Sequence, residues 1–349
     1  MIAATSLSSQ LVESPSTASL EPSVWRKSLA NAVTTIDELC QLLNLDIQQL
    51  NVGSAAIRQF PLKIPRSFVA RMRRGDPLDP LLRQVLPVAD EEKAVAGFGL
   101  DPVGDLLSRA ATGLLHKYEG RALLITTGAC AVHCRYCFRR HFPYSEESAL
   151  QGGWIDAMDQ VRADPSITEI ILSGGDPLSL SDRRLTQLTD LLETIPHVRR
   201  LRIHTRYPIV LPERIDSGFL GWLDRVPLQK IVVIHANHAQ ELDETVGDAC
   251  NRMRDHGVTL LNQSVLLAGV NADPETLANL SEQLFGMGVQ PYYLHVLDKV
   301  AGAAHFAIED GQAIAIHRAL ANRLPGYLVP RLVREIAGAP AKMPVAATP

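Results

Sequence analysis

The sequence lacks a long hydrophobic run and has no strong excess of charge of either sign. Its 34 basic and 38 acidic residues among 349 give a formal net charge of −4, which gives no reason to expect a nucleic acid or an anionic membrane as a partner. The longest stretch free of Asp, Glu, Lys and Arg, residues 256–272, is interrupted by Asn262, Gln263 and Ser264. Because a membrane-spanning helix needs about 20 mostly apolar residues, we expect no membrane span.

The first residues lack the features of an export signal. No Lys or Arg precedes Arg26, and residues 1–22 are rich in Ser and Thr without an apolar run. A signal peptide needs both a basic and an apolar part. We therefore predict a disordered tail at 1–22 and a cytoplasmic protein whose thiols stay reduced.

Cysteine is scarce and unevenly placed. Of the five cysteines, Cys130, Cys134 and Cys137 are clustered, whereas Cys40 and Cys250 stand alone on apolar faces of predicted helices. An odd number with three close together indicates a metal site and not a set of disulfides. We interpret the two isolated cysteines as buried core thiols.

Hydrophobic patterning predicts a helical part followed by an alternating part. Apolar spacing predicts helices at Trp25–Val33 and Thr35–Leu43, the second with a capping box of Thr35 and Glu38, within a helical N-terminal region at 23–110. Short β-rich runs then alternate with amphipathic stretches such as 182–195, 241–256 and 274–287. The predicted strands are Ala122–Thr127, Glu169–Ser173, Arg200–Thr205, Lys230–His235, Thr259–Leu267 and Gln290–Leu297.

These units repeat about every 30 residues, which is typical of strand–helix units in a parallel sheet. Six of them predict an α/β fold with a partial, TIM-like (β/α)6 barrel over 111–325. In such a barrel the loops after the strands build the active site. The periodicity is lost at 326–349, which we predict as a separate C-terminal segment.

The loop after the first predicted strand carries the three clustered cysteines. Spacings of four and three residues let their thiolates occupy three corners of an iron–sulfur cube, with one iron left open for a small chelating molecule. Neighbouring cations would offset the charge of the cluster. The alternative is structural zinc with His133 or His141 as fourth ligand, although a second Cys/His pair is missing. The neighbouring cations are Arg135, Arg139, Arg140 and His141.

A Ser-Gly-Gly-Asp-Pro turn, residues 173–177, follows the second predicted strand. Two glycines let the backbone pass close to a ligand, and the turn falls at the carboxyl end of a barrel strand. Alone, the turn is weak evidence for a ligand, and a plain strand–helix connection is the favoured interpretation. Combined with the cysteine loop one strand earlier, it indicates a ligand site.

The spacing Cys-x3-Cys-x-aromatic-Cys, with Tyr136 in the aromatic position, resembles the signature of the radical S-adenosylmethionine enzymes. The resemblance implies a [4Fe–4S] cluster on Cys130, Cys134 and Cys137, with S-adenosylmethionine bound to its open iron. It also implies that the glycine turn contacts the methionine part of this molecule. The cofactor-binding residues it implies are Tyr136, Ser173, Gly174, Gly175 and Asp176.

From Trp25 to Lys342 the chain resembles the lysine 2,3-aminomutases, and the short chain and opening block 25–46 are most similar to the branch that makes (R)-β-lysine for elongation factor P. The resemblance implies L-lysine as substrate, a flavodoxin- or ferredoxin-type electron donor, and a link to elongation factor P and its lysine ligase. It leaves a homo-oligomer open. The matching blocks are Gly128–His141, Ser173–Leu178, Ile203–Pro208, Asn262–Gly269, Pro291–Phe306 and Gly326–Pro330.

The same resemblance implies pyridoxal 5′-phosphate as a further cofactor. Lys342 matches the lysine that forms the Schiff base, so the C-terminal segment would fold back and close the barrel mouth. From the residues alone, Lys342 is a solvated lysine in a flexible tail. The positions that match the surroundings of the phosphate are Lys117, Tyr118 and Arg121, and those that match the cofactor cavity are His235 and Gln263.

Three further matches imply the substrate contacts. Arg139 matches the partner of the substrate carboxylate, and Asp298 and Glu335 match the acidic pair that holds the far amino group of lysine. The metabolic lysine enzymes carry Asp at the position of Glu335. The run Gly338-Ala-Pro-Ala also replaces a glycine-rich segment, so we expect a stiffer loop before Lys342. The cysteine-bearing, zinc-binding extension of longer relatives is missing after Pro349, so a zinc-stapled oligomer is not expected.

Two other functions stay open on the sequence. One is an aminomutase for another amino acid, or for free lysine in another pathway. The other is a catalytically silent iron–sulfur protein that acts as a redox sensor or an assembly partner. The glycine turn and Lys342 favour an enzyme.

Overall fold

The computed structural model describes residues 23–147, 152 and 154–346, within which one ten-stranded sheet is surrounded by twelve α-helices. The predicted tail at 1–22 and residues 347–349 of the C-terminal segment lie outside the described residues. The strands are β1 (Arg109–Ala111), β2 (Leu114–Tyr118), β3 (Arg121–Thr127), β4 (Glu169–Gly174), β5 (Arg200–Thr205), β6 (Gln229–Ile234), β7 (Thr259–Leu266), β8 (Gln290–Val296), β9 (Arg331–Arg334) and β10 (Met343–Pro344).

In the described part of the chain, five short helices precede the sheet and seven follow or interleave with its strands. The helices are α1 (Val24–Ala30), α2 (Ile36–Leu43), α3 (Ser54–Gln59), α4 (Arg66–Val69), α5 (Pro80–Arg83), α6 (Ile155–Ala163), α7 (Asp182–Glu193), α8 (Tyr207–Val210), α9 (Ser217–Arg225), α10 (Glu244–Asp255), α11 (Pro274–Gly286) and α12 (Asp310–Ala321). Single 3₁₀ turns lie at Ile47–Gln49, Ala89–Glu92, Leu106–Ser108, Pro177–Ser179, Pro212–Arg214, Ala239–Glu241, Ala304–Phe306 and Gly326–Leu328.

The strands follow one another in the sheet in chain order, and β3 to β9 are parallel. The pairs Leu124–Leu172 and Ile203–Val232 illustrate the register, in which apolar side chains lie side by side. Helices lie between most of these strands and cover the sheet, so parallel strands can be buried on both faces. The six predicted barrel strands are β3 to β8, and the predicted α/β fold is confirmed.

The barrel is partial, as the six-unit pattern predicts. Strands β1 and β10 are the two edges of the sheet, and no ladder joins them among the described residues. Side chains from the C-terminal segment cross the opening instead. The Lys117 ammonium on β2 lies 2.9 Å from the carboxylate of Glu335, and Gly104 packs closely against Ala337.

The N-terminal region is less helical than predicted. Helices α1 and α2 match the two predicted helices, and the Thr35 hydroxyl accepts the Glu38 N–H at 3.3 Å. The Glu38 carboxylate pairs with Arg66 and does not complete the predicted box. After α2, the proline-containing segment forms only the short helices α3 to α5. Strand β1 starts at Arg109, before the predicted end of the helical region at residue 110. The boundaries of the predicted regions stay predictions.

A continuous apolar core joins the N-terminal helices to the barrel. Trp25 stacks edge-on against Tyr207, with ring centroids 6.1 Å apart. Cys40 on α2 and Cys250 on α10 are both buried in this core, which confirms their interpretation as core thiols. No helix in the described part of the chain is long and apolar enough to cross a membrane.

The C-terminal segment is ordered by a hairpin that its composition does not predict. Strand β9 extends the parallel sheet beside β8, and β10 returns antiparallel to it, with Met343 opposite Arg334. Leu332 and Val333 are buried, so this segment does contribute to the core. Because Glu335 follows β9 and Lys342 precedes β10, the hairpin register places these two residues next to each other.

Candidate active site

A cavity of about 330 Å³ lies at the carboxyl ends of the barrel strands, and every site residue predicted from the sequence lines it. The cysteine loop, the glycine turn and the C-terminal hairpin all contribute to its wall. Residues that sequence reasoning missed line it as well. The polar ones are Asp105, Tyr144, Arg202, His204, Arg206, Asn237, Tyr292, Tyr293 and His295.

The glycine turn packs directly on the cysteine loop. Gly174 has a positive φ of +112°, and a Cβ on Gly175 would lie 2.5 Å from the carbonyl oxygen of Ala129. The N–H of Gly175 donates to the carbonyl of Thr127 at 2.7 Å. Only glycine allows this approach, so the two motifs form one continuous surface.

The three clustered thiols face the same end of the cavity. Burial raises the pKa of Cys137 to about 11, and the neighbouring Cys134 adds to the effect. The guanidinium of Arg206 donates to Cys134 Sγ at 2.8 Å, and the Lys63 ammonium donates to the Cys130 carbonyl at 2.8 Å. Three thiols with a buried guanidinium and a half-buried ammonium beside their loop are a donor set that fits an iron–sulfur cluster.

In the part of the chain that the structure describes, no three His, Cys, Asp or Glu side chains, these thiols included, are drawn together around a single metal ion, whereas the thiolates of an iron–sulfur cluster lie further apart. The ring of His133, an alternative zinc ligand, is hydrogen-bonded to the Pro61 carbonyl at 2.7 Å and stacks on Phe60. The ring of His141 contacts the Ala301 carbonyl at 3.0 Å.

The predicted cationic shell around the cysteines is largely paired within the protein. Arg135 and Arg140 both contact the buried carboxylate of Glu91, at 2.6 and 2.7 Å. Arg139 is paired with Asp105 at 2.6 Å. The arginines after the cysteines therefore fix the loop to the N-terminal region, and Arg206, which directly follows β5, is the arginine that reaches a thiol.

Asp176 holds the turn together through its carboxylate. It accepts the Thr205 hydroxyl and the Arg206 N–H, both at 2.7 Å. Burial raises its pKa to about 6, against the effect of these hydrogen bonds. Asp176 lines the cavity, as predicted, while its oxygens bond to protein atoms.

At the other side of the cavity, charged residues alternate in a continuous chain. One carboxylate oxygen of Asp105 lies 2.6 Å from Nε of Arg139, and the other lies 2.6 Å from Nζ of Lys117. One carboxylate oxygen of Glu335 lies 2.9 Å from Nζ of Lys117, and the other lies 2.7 Å from Nζ of Lys342. Lys117 was predicted just ahead of the first strand, yet it lies on β2, a strand that was not predicted. The chain of ion pairs connects the cysteine loop to the C-terminal hairpin.

The two predicted substrate carboxylates have opposite pKa shifts. Burial and the charge of Glu335 raise the pKa of Asp298 to about 7. Burial would also raise the pKa of Glu335, but the charges of Lys342 and Lys117 lower it to about 2. At neutral pH Glu335 is therefore ionised, and Asp298 is close to half-protonated.

Three neutral histidines line the wall nearest β5 to β8. Burial lowers the pKa of His235 to about 3, helped by the charges of Arg206 and Lys342, and Gln263 lies 2.8 Å from its ring. Among the described residues, Nε2 of His204 and of His295 has no hydrogen-bond partner.

Buried polar atoms without partners indicate a polar ligand. Arg121, stacked on Tyr118, and Arg202 add positive charge nearby. A polar ligand with an anionic group suits this wall.

Two sequence features, membership of a matched block and a position at the end of a predicted strand, could have identified some of the missed residues. Arg206 and His204 belong to the matched block 203–208 at the end of a barrel strand, where catalytic polar residues are expected. Asp105 lies in a loop without a motif, so sequence patterning gives no reason to select it.

Comparison with curated proteins gives consistent relatives along almost the whole chain. The chain is 52% identical over 322 residues to "L-lysine 2,3-aminomutase" of Escherichia coli K12, covering 92% of this chain and 94% of the relative. The identity is 45% over 318 residues for the protein of that name from Haemophilus influenzae, covering 91% and 94%. It is 33% over 323 residues for that from Clostridium subterminale, covering 92% and 77%.

No protein-family model matches the chain. Among solved structures, a radical SAM methyltransferase from Sphaerobacter thermophilus aligns with 63% of this chain and 68% of its own, with a TM-score of 0.47 and 18% identity. The identity to the curated proteins, sustained over nine-tenths of the sequence, is what assigns the family. This chain belongs to the L-lysine 2,3-aminomutase family.

Proposed function

We propose that this protein converts L-α-lysine into (R)-β-lysine by moving the α-amino group to the neighbouring carbon. The observation that carries the proposal is one cavity lined by the cysteine loop, by Arg139 beside it, by Asp298 after β8 and by Glu335 of the C-terminal hairpin. That arrangement offers separate partners for the carboxylate and the distant ammonium of lysine. It occurs in a chain of the aminomutase family.

Cys130, Cys134 and Cys137 would hold the [4Fe–4S] cluster, with S-adenosylmethionine beside the glycine turn. When bound, these two groups supply one-electron hydrogen abstraction. The protein's own contribution is placement, because the turn and the loop form one rigid surface held by the Gly175–Thr127 hydrogen bond. Placement of the reacting carbon within a closed cavity supplies much of the catalysis in such reactions.

Pyridoxal phosphate is the second group we propose, with Lys342 as its attachment point. When bound, it supplies an aldehyde carbon that reacts with primary amines. Lys342 lies on the rim of the cavity, and its Nζ is 5.8 Å from the ring centre of Tyr293. Arg121 and Tyr118 would hold the phosphate, and the unpaired Nε2 atoms of His204 and His295 would donate to or accept from the ligand.

Lysine is selected by charge in this proposal. A guanidinium can pair with the substrate carboxylate through two parallel hydrogen bonds, which suits Arg139. The ε-ammonium has three donors and can bind Asp298 and Glu335 together. A substrate with an acidic side chain would bring a further negative charge to these two carboxylates and be rejected.

The biological setting is proposed from the resemblance to the elongation factor P branch. In it, β-lysine would be passed to the lysine ligase of that factor, and a flavodoxin or ferredoxin would supply electrons. A cytoplasmic location agrees with three grouped thiols, which need a reducing compartment. The chain would act alone or as a homo-oligomer.

Anaerobic turnover tests the proposal. The reconstituted protein is incubated with dithionite, S-adenosylmethionine, pyridoxal phosphate and L-lysine, and the products are separated on a chiral column. We expect (R)-β-lysine, formed only when all components are present. Parallel incubations with L-glutamate and L-arginine test whether the protein acts on another amino acid, with an acidic or with a different basic side chain.

Three outcomes would contradict it. Preferential conversion of glutamate would show that the acidic pair does not select the substrate. Formation of the (S) isomer would separate the chain from the proposed branch. Absence of reductive cleavage of S-adenosylmethionine, despite an intact cluster, would favour the iron–sulfur sensor.

A further inference from the structure

Asp105 is a buried carboxylate that joins two of the proposed ligand-binding cations. Its side chain is 2% exposed, one oxygen lies 2.6 Å from Nε of Arg139, and the other lies 2.6 Å from Nζ of Lys117. It links the cysteine loop to strand β2 through these two ion pairs. The resemblance to the aminomutases assigned it no role.

The backbone around Asp105 is built to hold this position. Its N–H donates to the carboxylate of Asp101 at 2.9 Å, and the Val103 carbonyl accepts from Lys117 Nζ at 2.9 Å. Gly104, with a φ of +65°, packs against Ala337 of the C-terminal hairpin. The loop thus fixes Asp105, Lys117 and the hairpin relative to one another.

The contacts of Arg139 leave a defined edge for a ligand. Nε is used by Asp105, and Nη1 donates to the Ser173 hydroxyl at 3.1 Å. The remaining Nη donors belong to a side chain that lines the cavity. A guanidinium held at Nε cannot rotate freely, so its outer edge is oriented before a carboxylate arrives.

We propose that Asp105 is a positioning residue that orients Arg139 for the substrate α-carboxylate and thereby sets the preference for a free amino acid over its amide. This inference rests on the proposed function, because it needs Arg139 to meet the carboxylate. Loss of the Asp105 charge releases Nε, so the guanidinium samples several orientations. Ordering Arg139 on binding then costs free energy, so the carboxylate binds more weakly.

The test compares the binding of L-lysine and L-lysinamide, which differ in the α-carboxylate. Dissociation constants are measured by calorimetry under argon, without reductant, on protein loaded with cluster, S-adenosylmethionine and pyridoxal phosphate. For the parent we expect lysine to bind at least about tenfold more tightly, the effect of one charged hydrogen-bonded pair. Asp105→Asn should reduce this preference at least about fivefold and change lysinamide binding less than about twofold.

Two comparisons separate positioning from a general structural role. In an Arg139→Met background, Asp105→Asn should have no further effect on the preference, since the group that it positions is gone. Asp190→Asn, an exposed substitution on α7, is the matched control and should leave both constants unchanged.

The inference is overturned if Asp105→Asn keeps the full preference, or if it weakens lysine and lysinamide equally. Should circular dichroism show that this variant does not fold, Asp105→Glu takes its place. Asp105→Glu keeps the charge but moves it by one methylene, and an unchanged preference then overturns the inference. Failure of the parent to bind lysine at all would instead count against the proposed function.

Discussion

Replacing Asp298 by Asn should stabilise the ligand-free protein while abolishing lysine turnover. Asp298 lines the cavity near Glu335, and burial together with that charge raises its pKa from an ordinary 3.8 to about 7. Its ionised form is therefore unfavourable in the folded protein until a cation joins it. Asparagine removes the charge with almost no change of shape.

The size of the effect follows from the two pKa values. Their difference corresponds to about 4 kcal/mol, at about 1.4 kcal/mol for each pH unit. Water in the cavity screens part of this, and burial of an amide also costs free energy, so we expect a gain of about 2–3 kcal/mol at pH 8.5.

The raised pKa of Asp298 also determines whether stability rises or falls with pH. Between pH 3.8 and about 7 the folded protein binds more protons at Asp298 than the unfolded chain, so its stability falls as the pH rises. Because the asparagine amide cannot titrate, the advantage of Asp298→Asn should be small near the lower of these two values and complete above the higher one.

The assay is anaerobic urea unfolding of the cluster-loaded, ligand-free protein at pH 5 and pH 8.5. Asp298→Asn should exceed the parent in free energy of unfolding, and by about 1–2 kcal/mol more at pH 8.5 than at pH 5. Asp190→Asn is the control for an exposed aspartate and should show no such difference. A variant less stable than the parent at pH 8.5, or an advantage equal at both pH values, would refute the reasoning.

Three further predictions concern the other groups of the site. Cys134→Ala should remove the brown iron–sulfur absorbance, whereas Cys40→Ala should keep it because Cys40 is a core thiol; iron and sulfide analysis decides between them. Lys342→Ala should lose the pyridoxyl label fixed by borohydride, and peptide mapping of the parent should find that label on no other lysine. Glu335→Gln should lose about 2–3 kcal/mol of stability at pH 7. That loss should shrink between pH 4.5 and about 2, where the parent Glu335 becomes protonated, and a pH-independent loss would contradict its pairing with Lys117.

The strands that could be predicted are those with long apolar runs. Each of β3 to β8 has at least six residues and recurs with a helix, and both features are visible in a single sequence. The cysteine loop and the glycine turn could be located for a related reason, because their spacing and their place after a strand are local properties.

The elements that were missed are short or depend on distant partners. Strand β9 has four residues with arginine at both ends, and its pairing with β8 joins segments far apart in the chain. Strand β2 is five residues long and contains His116 and Lys117, so it has no clear apolar alternation. Asp105 acquires its partners only when the barrel forms, and no spacing rule selects it.

The location of Lys342 is determined by the C-terminal hairpin and differs from the one that the local composition predicts. Small residues and prolines around it predict a solvated tail, yet the pairing of Met343 with Arg334 returns the chain to the sheet edge. The Lys342 ammonium then reaches Glu335 at 2.7 Å and lines the cavity. The position of Lys342 therefore depends on the register between β9 and β10, and the residues around Lys342 do not reveal that register on their own.

Under the proposed function, the ion pairs of the ligand-free cavity would give Glu335 two roles. Glu335 holds Lys342 in the structure, and under the proposed function Lys342 is the residue that carries the cofactor. With Lys342 Nζ attached to the cofactor, Glu335 would lose this ammonium partner, and the ε-ammonium of the substrate would take its place. Replacement of the Lys342 ammonium by the substrate ε-ammonium would leave the charge around Glu335 unchanged. The same ε-ammonium would also contact Asp298 and favour the ionised form of the Asp298 carboxyl. Under the proposed function, lysine would thus be favoured over substrates without a terminal amine, because they would leave Glu335 with Lys117 as its remaining partner.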